Sequence, residues 1–258
     1  MEDEANKAGA FIEAAIRQLG RFDSPAHTKV LDFGCGEGKM VDSLLRRGFD
    51  AYGCDIKAYW SGNPTTTGER FRTISLEPYR LPFDENYFDV VVSTSVLEHA
   101  QNTQELFSAI HKALRPGGYS MHFYPGKWYL PYEPHIYVPL VNYFWPHCPK
   151  WWLGVWALLG VRNEFQKNMS WKEVLRSNDQ YCQRGLCYLS NRQYRKLSLR
   201  VFGNCSWPMR FYIENGYGGF PRLLRRLPFK NLSGLLSKEF RMGFLVQRKT
   251  PEQIQPRW

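Results

Sequence analysis

The run Asp32-Phe33-Gly34-Cys35-Gly36-Glu37-Gly38 constrains this chain more than any other. Its three alternate glycines follow a short apolar run, Val30 to Phe33, and precede a stretch with Met40, Val41, Leu44 and Leu45 on one helical face. Strand, glycine turn and helix in that order bring backbone close to a nucleotide-like ligand, because glycine adopts the turn without steric cost. The next apolar run, Ala51 to Ile56, ends on Asp55, where a carboxylate can accept hydrogen bonds from both ribose hydroxyls. The glycine spacing is D-x-G-x-G-x-G rather than the G-x-G-x-x-G of dinucleotide sites. Asp32 stands at its head, where a carboxylate favours a cationic ligand and would repel a pyrophosphate.

From Thr28 to Tyr124 short apolar runs alternate with helical stretches, the pattern of βαβ units and a parallel sheet. After Val30–Phe33 and Ala51–Ile56, a third and weaker strand is expected over Phe71–Leu76. Phe88–Ser93 is the strongest, its β-branched run suiting a strand buried on both faces. Gln104 to Leu114 is expected to be a helix, stopped by Pro116-Gly117-Gly118 and followed by a fifth strand over Tyr119–Tyr124. Beyond Pro125 the chain turns aromatic, proline-rich and poorly periodic. Order is expected to return at Ser190-Asn191, an N-cap for a helix from Arg192, and in a closing strand over Phe240–Gln247. The length of 258 residues suits a single domain, 1–258, with an inserted substrate-side cap over 126–187.

Five segments in order resemble the class I adenosylmethionine-dependent methyltransferases, specifically the large bacterial subgroup with many small-molecule and sugar methyltransferases. They are Val30 to Gly38, Asp55, Leu81-Pro82-Phe83 through Phe88-Asp89, Leu97-Glu98-His99, and Leu114-Arg115-Pro116-Gly117-Gly118. The resemblance covers nearly 100 residues. It implies an α/β, Rossmann-like fold: a seven-stranded, mostly parallel sheet flanked by helices, with the aromatic-rich insertion after the fifth strand. It also implies S-adenosyl-L-methionine as cofactor, held by Asp32, Gly34, Cys35, Gly36, Gly38, Asp55 and Ile56, with Glu77 and Ser93 completing the site. Glu77 departs from the family pattern, which more often has Asp at the adenine. No metal site is expected.

In-line methyl transfer from a sulfonium needs the nucleophile about 3 Å from the methyl and, for a hydroxyl or amine, a base. Glu133 and His135, separated by Pro134 just beyond the fifth strand, are one candidate base and orienting partner; the alternative is a turn that caps the following segment. His99 is a second candidate, with a packing role as its alternative. His122 falls inside the fifth strand and is expected to be buried. Trp145, Trp151, Trp152 and Trp156 suit either a packed lid or a surface for sugars, acyl chains or a membrane.

Charge divides the chain. Residues 1–149 hold 14 Lys/Arg and 18 Asp/Glu, a net of −4, whereas residues 150–258 hold 20 and 6, a net of +14. The densest basic cluster is Arg222, Arg225, Arg226 and Lys230, interleaved with Leu223, Leu224, Leu227 and Phe229. This points to an anionic partner for the second half: a phosphorylated or lipid-linked small-molecule or glycan acceptor, or peripheral contact with a membrane. Nucleic acid is disfavoured, since no RNA-binding module accompanies the charge. The acidic start Met1-Glu2-Asp3-Glu4 is unlike a secretory signal, and Pro146, Pro149 and Lys150 break the apolar tract Tyr137–Val161 below bilayer-spanning length. The expected location is therefore cytoplasmic, extending to the inner membrane face. Six cysteines without C-x-x-C spacing are expected to stay reduced. O-methylation is the leading expectation. Carbon methylation of an aromatic or isoprenoid substrate and a non-catalytic binding subunit are its rivals.

Overall fold

The computed structural model describes residues 2–20, 22, 24–62 and 69–250. The expected start at Met1 and the end of the 1–258 domain lie outside the described residues. The main sheet comprises β1 (Lys29–Phe33), β2 (Asp50–Asp55), β3 (Phe71–Thr73), β6 (Phe88–Thr94), β7 (Leu114–Pro125) and β8 (Met242–Arg248), while β4 (Ser75–Leu76) and β5 (Tyr79–Arg80) form a separate hairpin. The spatial order is β3-β2-β1-β6-β7-β8, with β8 antiparallel against β7 and all other neighbours parallel. The chain travels outward from β1 to β3, then returns to the opposite side of β1 as β6. The crevice at the carboxyl ends of β1 and β6 is thus a topological switch point, where open α/β sheets bind ligands.

Successive strand residues serve different layers, as the pleat requires. Val30, Val90, Val92, Met121 and Phe244 pack beneath α1 (Glu2–Ala15) and α2 (Lys39–Arg46), through Phe11, Ile12, Val41 and Leu44. Leu31, Phe33, Val91 and Leu245 face the opposite layer, where α3 (Thr103–Ala113) supplies Leu106, Phe107 and Ile110. Residues Phe88 to Ser93 are all buried, so the branched run does sit inside a three-layer sandwich.

Among the described residues the sheet has six strands, not the seven expected. Beyond β8 a seventh position is marked only by an isolated bridge, in which Ser206 and Val246 exchange both backbone hydrogen bonds. Pro208 follows two residues later and has no N–H to continue a ladder. The expected third strand also divides at Ile74, whose N–H donates to the Asp55 carbonyl before the chain turns into the β4–β5 hairpin.

The segment between β7 and α7 (Asn191–Phe202) is not irregular but helical: α4 (Val141–Phe144), α5 (Lys150–Leu158) and α6 (Trp171–Arg184) surround a small core of Ile136, Val138, Leu153, Leu186 and Tyr188. Ser170 accepts from the Glu173 N–H while the Glu173 carboxylate takes the Ser170 N–H, a capping box legible in Ser170-Trp171-Lys172-Glu173. Trp145 and Trp152 pack in that core and donate their indole N–H groups to the Leu186 and Pro139 carbonyls, whereas Trp151 is exposed. The remaining helices are α8 (Met209–Asn215), α9 (Gly219–Arg225) and α10 (Lys230–Phe240). No helix among the described residues is long and apolar enough to cross a membrane.

Candidate active site

The glycine turn folds back on β2. The N–H groups of Gly34 and Cys35 both donate to the Cys54 carbonyl, at 2.7 and 3.0 Å, and the Gly36 N–H donates to Asp55 Oδ2 at 2.8 Å. Asp55 Oδ1 accepts from the Ile56 N–H at 2.6 Å, so main chain from both strand ends holds the carboxylate. Gly34, Gly36 and Gly38 have φ of +80°, +52° and +79°, the left-handed region that disfavours other residues. At Gly34 space is a second constraint, because a Cβ would lie 2.3 Å from Val96 Cγ2. Burial and the nearby Asp55 raise the Asp32 carboxyl to about 7. The Cys35 thiol is buried against Gly53, and burial with the two carboxylates raises it further from ionisation. A turn whose amides are consumed internally and whose flanks carry Asp32 and Asp55 is poorly suited to phosphate and well suited to a cation.

Two clefts flank this turn at the carboxyl ends of the strands. One, of about 230 Å3, is lined by Gly34, Asp55, Ile56, Ile74, Leu76 and Tyr79, and is closed opposite by Ser95, Val96 and His99. Its polar floor and apolar walls fit a nucleoside. Glu77, exposed at the tip of the β4–β5 hairpin, stands at the wider mouth of the same region together with His99. The second cleft, of about 190 Å3, is lined by Phe11, Ile12, Met40, Thr94, Phe123 and Tyr212. Thr94 and Ser95 are consecutive, so the clefts adjoin at the end of β6.

Ser93 does not reach either cleft. Its hydroxyl is buried and bonds His122 Nδ1 at 2.7 Å, as part of an internal chain that continues through Ser120, Gln247 and Ser198. The strand pleat decides this: Ser93 points into the sandwich, and Thr94 and Ser95 are the first residues past it to face open space. His122 is likewise buried, and burial lowers its pKa to about 3.

The three candidate basic-site residues do come together. Glu133 is buried; its Oε1 accepts from His135 Nδ1 at 2.6 Å and from the Tyr188 hydroxyl at 2.9 Å, and its Oε2 accepts from the His135 and Ile136 N–H groups, both at 2.8 Å. Burial would raise this carboxyl, but the His135 contact and the other donors hold it below its ordinary value. Burial also opposes protonation of His135, and the Glu133 carboxylate outweighs it, so His135 is raised. The His99 ring lies edge-on to His135 with centroids 4.9 Å apart, and its Nδ1 is held by the Gly185 carbonyl at 2.6 Å. Burial lowers the His99 pKa. His99 borders the nucleoside-shaped cleft and His135 lies behind it, so the chain of groups runs cleft, His99, His135, Glu133. In the sequence Glu98 stands out only as the centre of Leu97-Glu98-His99. Glu98 is fully buried, and neither carboxylate oxygen closes a hydrogen bond of normal geometry; burial raises it to about 8 against the opposing pull of its own N–H and of Ser95, which both lie near.

Residues 31–121 match a family described as "Methyltransferase domain". The chain is 29% identical over 126 residues to a ubiquinone biosynthesis O-methyltransferase of Hydrogenovibrio crunogenus, covering 45% of this chain and 52% of the relative. A protein of the same description from Acinetobacter baylyi is 28% identical over 100 residues, covering 36% and 42%. The chain thus spans about half the length of the curated relatives it matches. A solved S-adenosylmethionine-dependent methyltransferase from Mesorhizobium loti shares the fold at a TM-score of 0.53 and 14% identity, covering 94% of this chain and 99% of that one.

Proposed function

We propose that this chain, whose residues 31–121 match a methyltransferase domain, transfers the methyl group of S-adenosyl-L-methionine to an oxygen of a small-molecule acceptor with a lipophilic body. The observation that carries the cofactor half is the turn itself: two carboxylates, Asp32 and Asp55, flank glycines whose amides already have partners. Asp55 keeps acceptor capacity for the ribose, Asp32 offers a counter-charge, and Ile56, Leu76 and Tyr79 give the adenine apolar walls. Glu77, from the tip of the β4–β5 hairpin, would contact the adenine edge. His99, His135 and Glu133 are the groups that would receive the acceptor's proton.

Proton release tests the role of Asp32. With its carboxyl raised to about 7, the site holds a proton on roughly half the molecules at neutral pH. A cation entering beside it favours the ionised form and returns the pKa toward its ordinary range. Binding of adenosylmethionine at pH 7 should therefore release a fraction of a proton, and affinity should rise from pH 6 to pH 8. Calorimetry in two buffers of different ionisation enthalpy measures the release. Buffer-independent heats with pH-independent affinity would leave Asp32 no part in the site.

The acceptor half rests on surface chemistry. The second cleft is walled by Phe11, Ile12, Met40, Phe123 and Tyr212. Near it in the chain, α9 carries Arg222 and Arg225, and α9, α10 and the turn between them expose Leu223, Leu227, Phe229, Leu232 and Leu235. Exposed leucines interleaved with arginines suit an interface that meets acyl chains and anionic headgroups together. The ubiquinone-pathway relatives agree with a lipophilic, oxygen-bearing acceptor. Reversing Arg222, Arg225 and Arg226 to Glu should abolish sedimentation with anionic vesicles and leave cofactor affinity unchanged. Equal sedimentation of both proteins at low and high salt would assign the basic half to solvation alone.

A further inference from the structure

Glu98, His99 and His135 each offer a ligand atom, and these atoms lie within 4.8 Å of one another. From this juxtaposition we infer that the three residues form a binding site for a divalent transition-metal ion of the zinc type, with two imidazoles and one carboxylate as ligands.

The chemistry of each donor supports the assignment. Metal-binding histidines are commonly fixed by a hydrogen bond from the other ring nitrogen to a carbonyl or carboxylate. Both rings here are held that way: His99 Nδ1 by the Gly185 carbonyl, His135 Nδ1 by Glu133, which is itself anchored by Tyr188 and two backbone N–H groups. The Nε2 lone pair of each ring is thereby left as the available ligand. Glu98 adds the independent sign, a fully buried carboxylate neither of whose oxygens closes a hydrogen bond of normal geometry. Such a group is costly in the interior unless a cation or donor meets it. Zinc bonds nitrogen and oxygen at ~2.0–2.2 Å, which puts tetrahedral ligand atoms on the order of 3–3.5 Å apart. Shifts of about an ångström close the present arrangement to that size.

Three protein ligands leave a tetrahedral ion one open position, and His99 borders the cofactor cleft. An ion here would occupy the His135 lone pair otherwise available as a base. That role rests on the methyl-transfer reading, whereas the binding itself does not.

The test titrates Co2+ into the chelator-treated full chain, following its visible absorption, with binding of S-adenosylhomocysteine measured by calorimetry on the same samples. One Co2+ per chain is expected, displaced by Zn2+. Glu98→Gln and His135→Asn should each weaken it at least about tenfold, and Glu133→Gln, which loosens the His135 ring, by ~10–100-fold. S-adenosylhomocysteine binding serves as the check on folding, and His135→Asn decides if Glu98→Gln fails that check. Absence of stoichiometric binding in the wild type, or binding unchanged in the folded variants, overturns the site. Loss of S-adenosylhomocysteine binding by the wild type instead overturns the methyl-transfer reading and leaves the metal assignment to its own titration.

Discussion

Replacing Asp55 with Ala is expected to weaken adenosylmethionine binding at least tenfold, and by up to about a hundredfold. The carboxylate has two functions that one substitution removes together. It accepts the Gly36 and Ile56 N–H groups, at 2.8 and 2.6 Å, and so sets the spacing between the glycine turn and the end of β2. Its remaining lone pairs face the cleft, where ribose hydroxyls would donate. Charge-assisted hydrogen bonds are each worth about 1.5–3 kcal/mol, and one such bond corresponds to a tenfold or greater change in affinity. Asp55→Asn should cost less, since its amide oxygen still accepts while its NH2 group opposes one of the two N–H donors. Calorimetric titration of both variants with adenosylmethionine measures the difference. Wild-type affinity in Asp55→Ala would remove the cofactor site from this turn.

The larger effect on turnover is expected at His135. In the metal-free enzyme, His135→Ala should lower methyl transfer by roughly 10²–10⁴ with cofactor affinity unchanged, the range over which a positioned proton-transfer group contributes. The geometry gives reason to expect separation of the two parameters. His135 lies behind His99, away from the nucleoside-shaped cleft, and its partners are Glu133 and the insertion rather than the glycine turn. Single-turnover assays with acceptor quinols or phenols, alongside adenosylmethionine titration, read the two quantities separately. Near-normal turnover would return the Glu133–His135 pair to holding the insertion together and shift the proton-accepting role to His99.

The acid–imidazole pair and the glycine turn differ in how they could be recognised before the fold was known. The turn is local. Gly34, Gly36 and Gly38 mark positive φ within five residues, Asp32 is the penultimate residue of β1 and Asp55 the last of β2, and the β-branched run Val90-Val91-Val92 marks a strand covered on both faces. Backbone preference and hydrophobic period are carried by neighbouring residues, so a linear pattern suffices to place them. The Glu133–His135 pair is also local, because two residues separated by Pro134 meet within one turn.

What tertiary structure alone decided involves residues whose partners come from elsewhere. Ser93 stood at the right strand end, yet its side chain joins His122 in the interior, and Thr94 and Ser95 reach the clefts. A single step along a pleated strand exchanges faces, and which face opens to a ligand depends on the helices laid over the sheet. Six strands among the described residues stand where seven were expected for a related reason: Ser206 pairs with Val246 only once before Pro208 and α8 take the chain away. The insertion's helices were obscured by its aromatic, proline-rich composition, although the Ser170–Glu173 capping box announced one of them. The ligand set Glu98, His99 and His135 could not be read from spacing, because its members come from the helical turn after β6 and from the segment after β7. Their convergence follows from folding the insertion back over the sheet, with Cys187 N–H donating to the Glu98 carbonyl and His99 bonding Gly185. A sequence pattern reports what neighbours along the chain can do, and a buried carboxylate left without a partner is a property of packing.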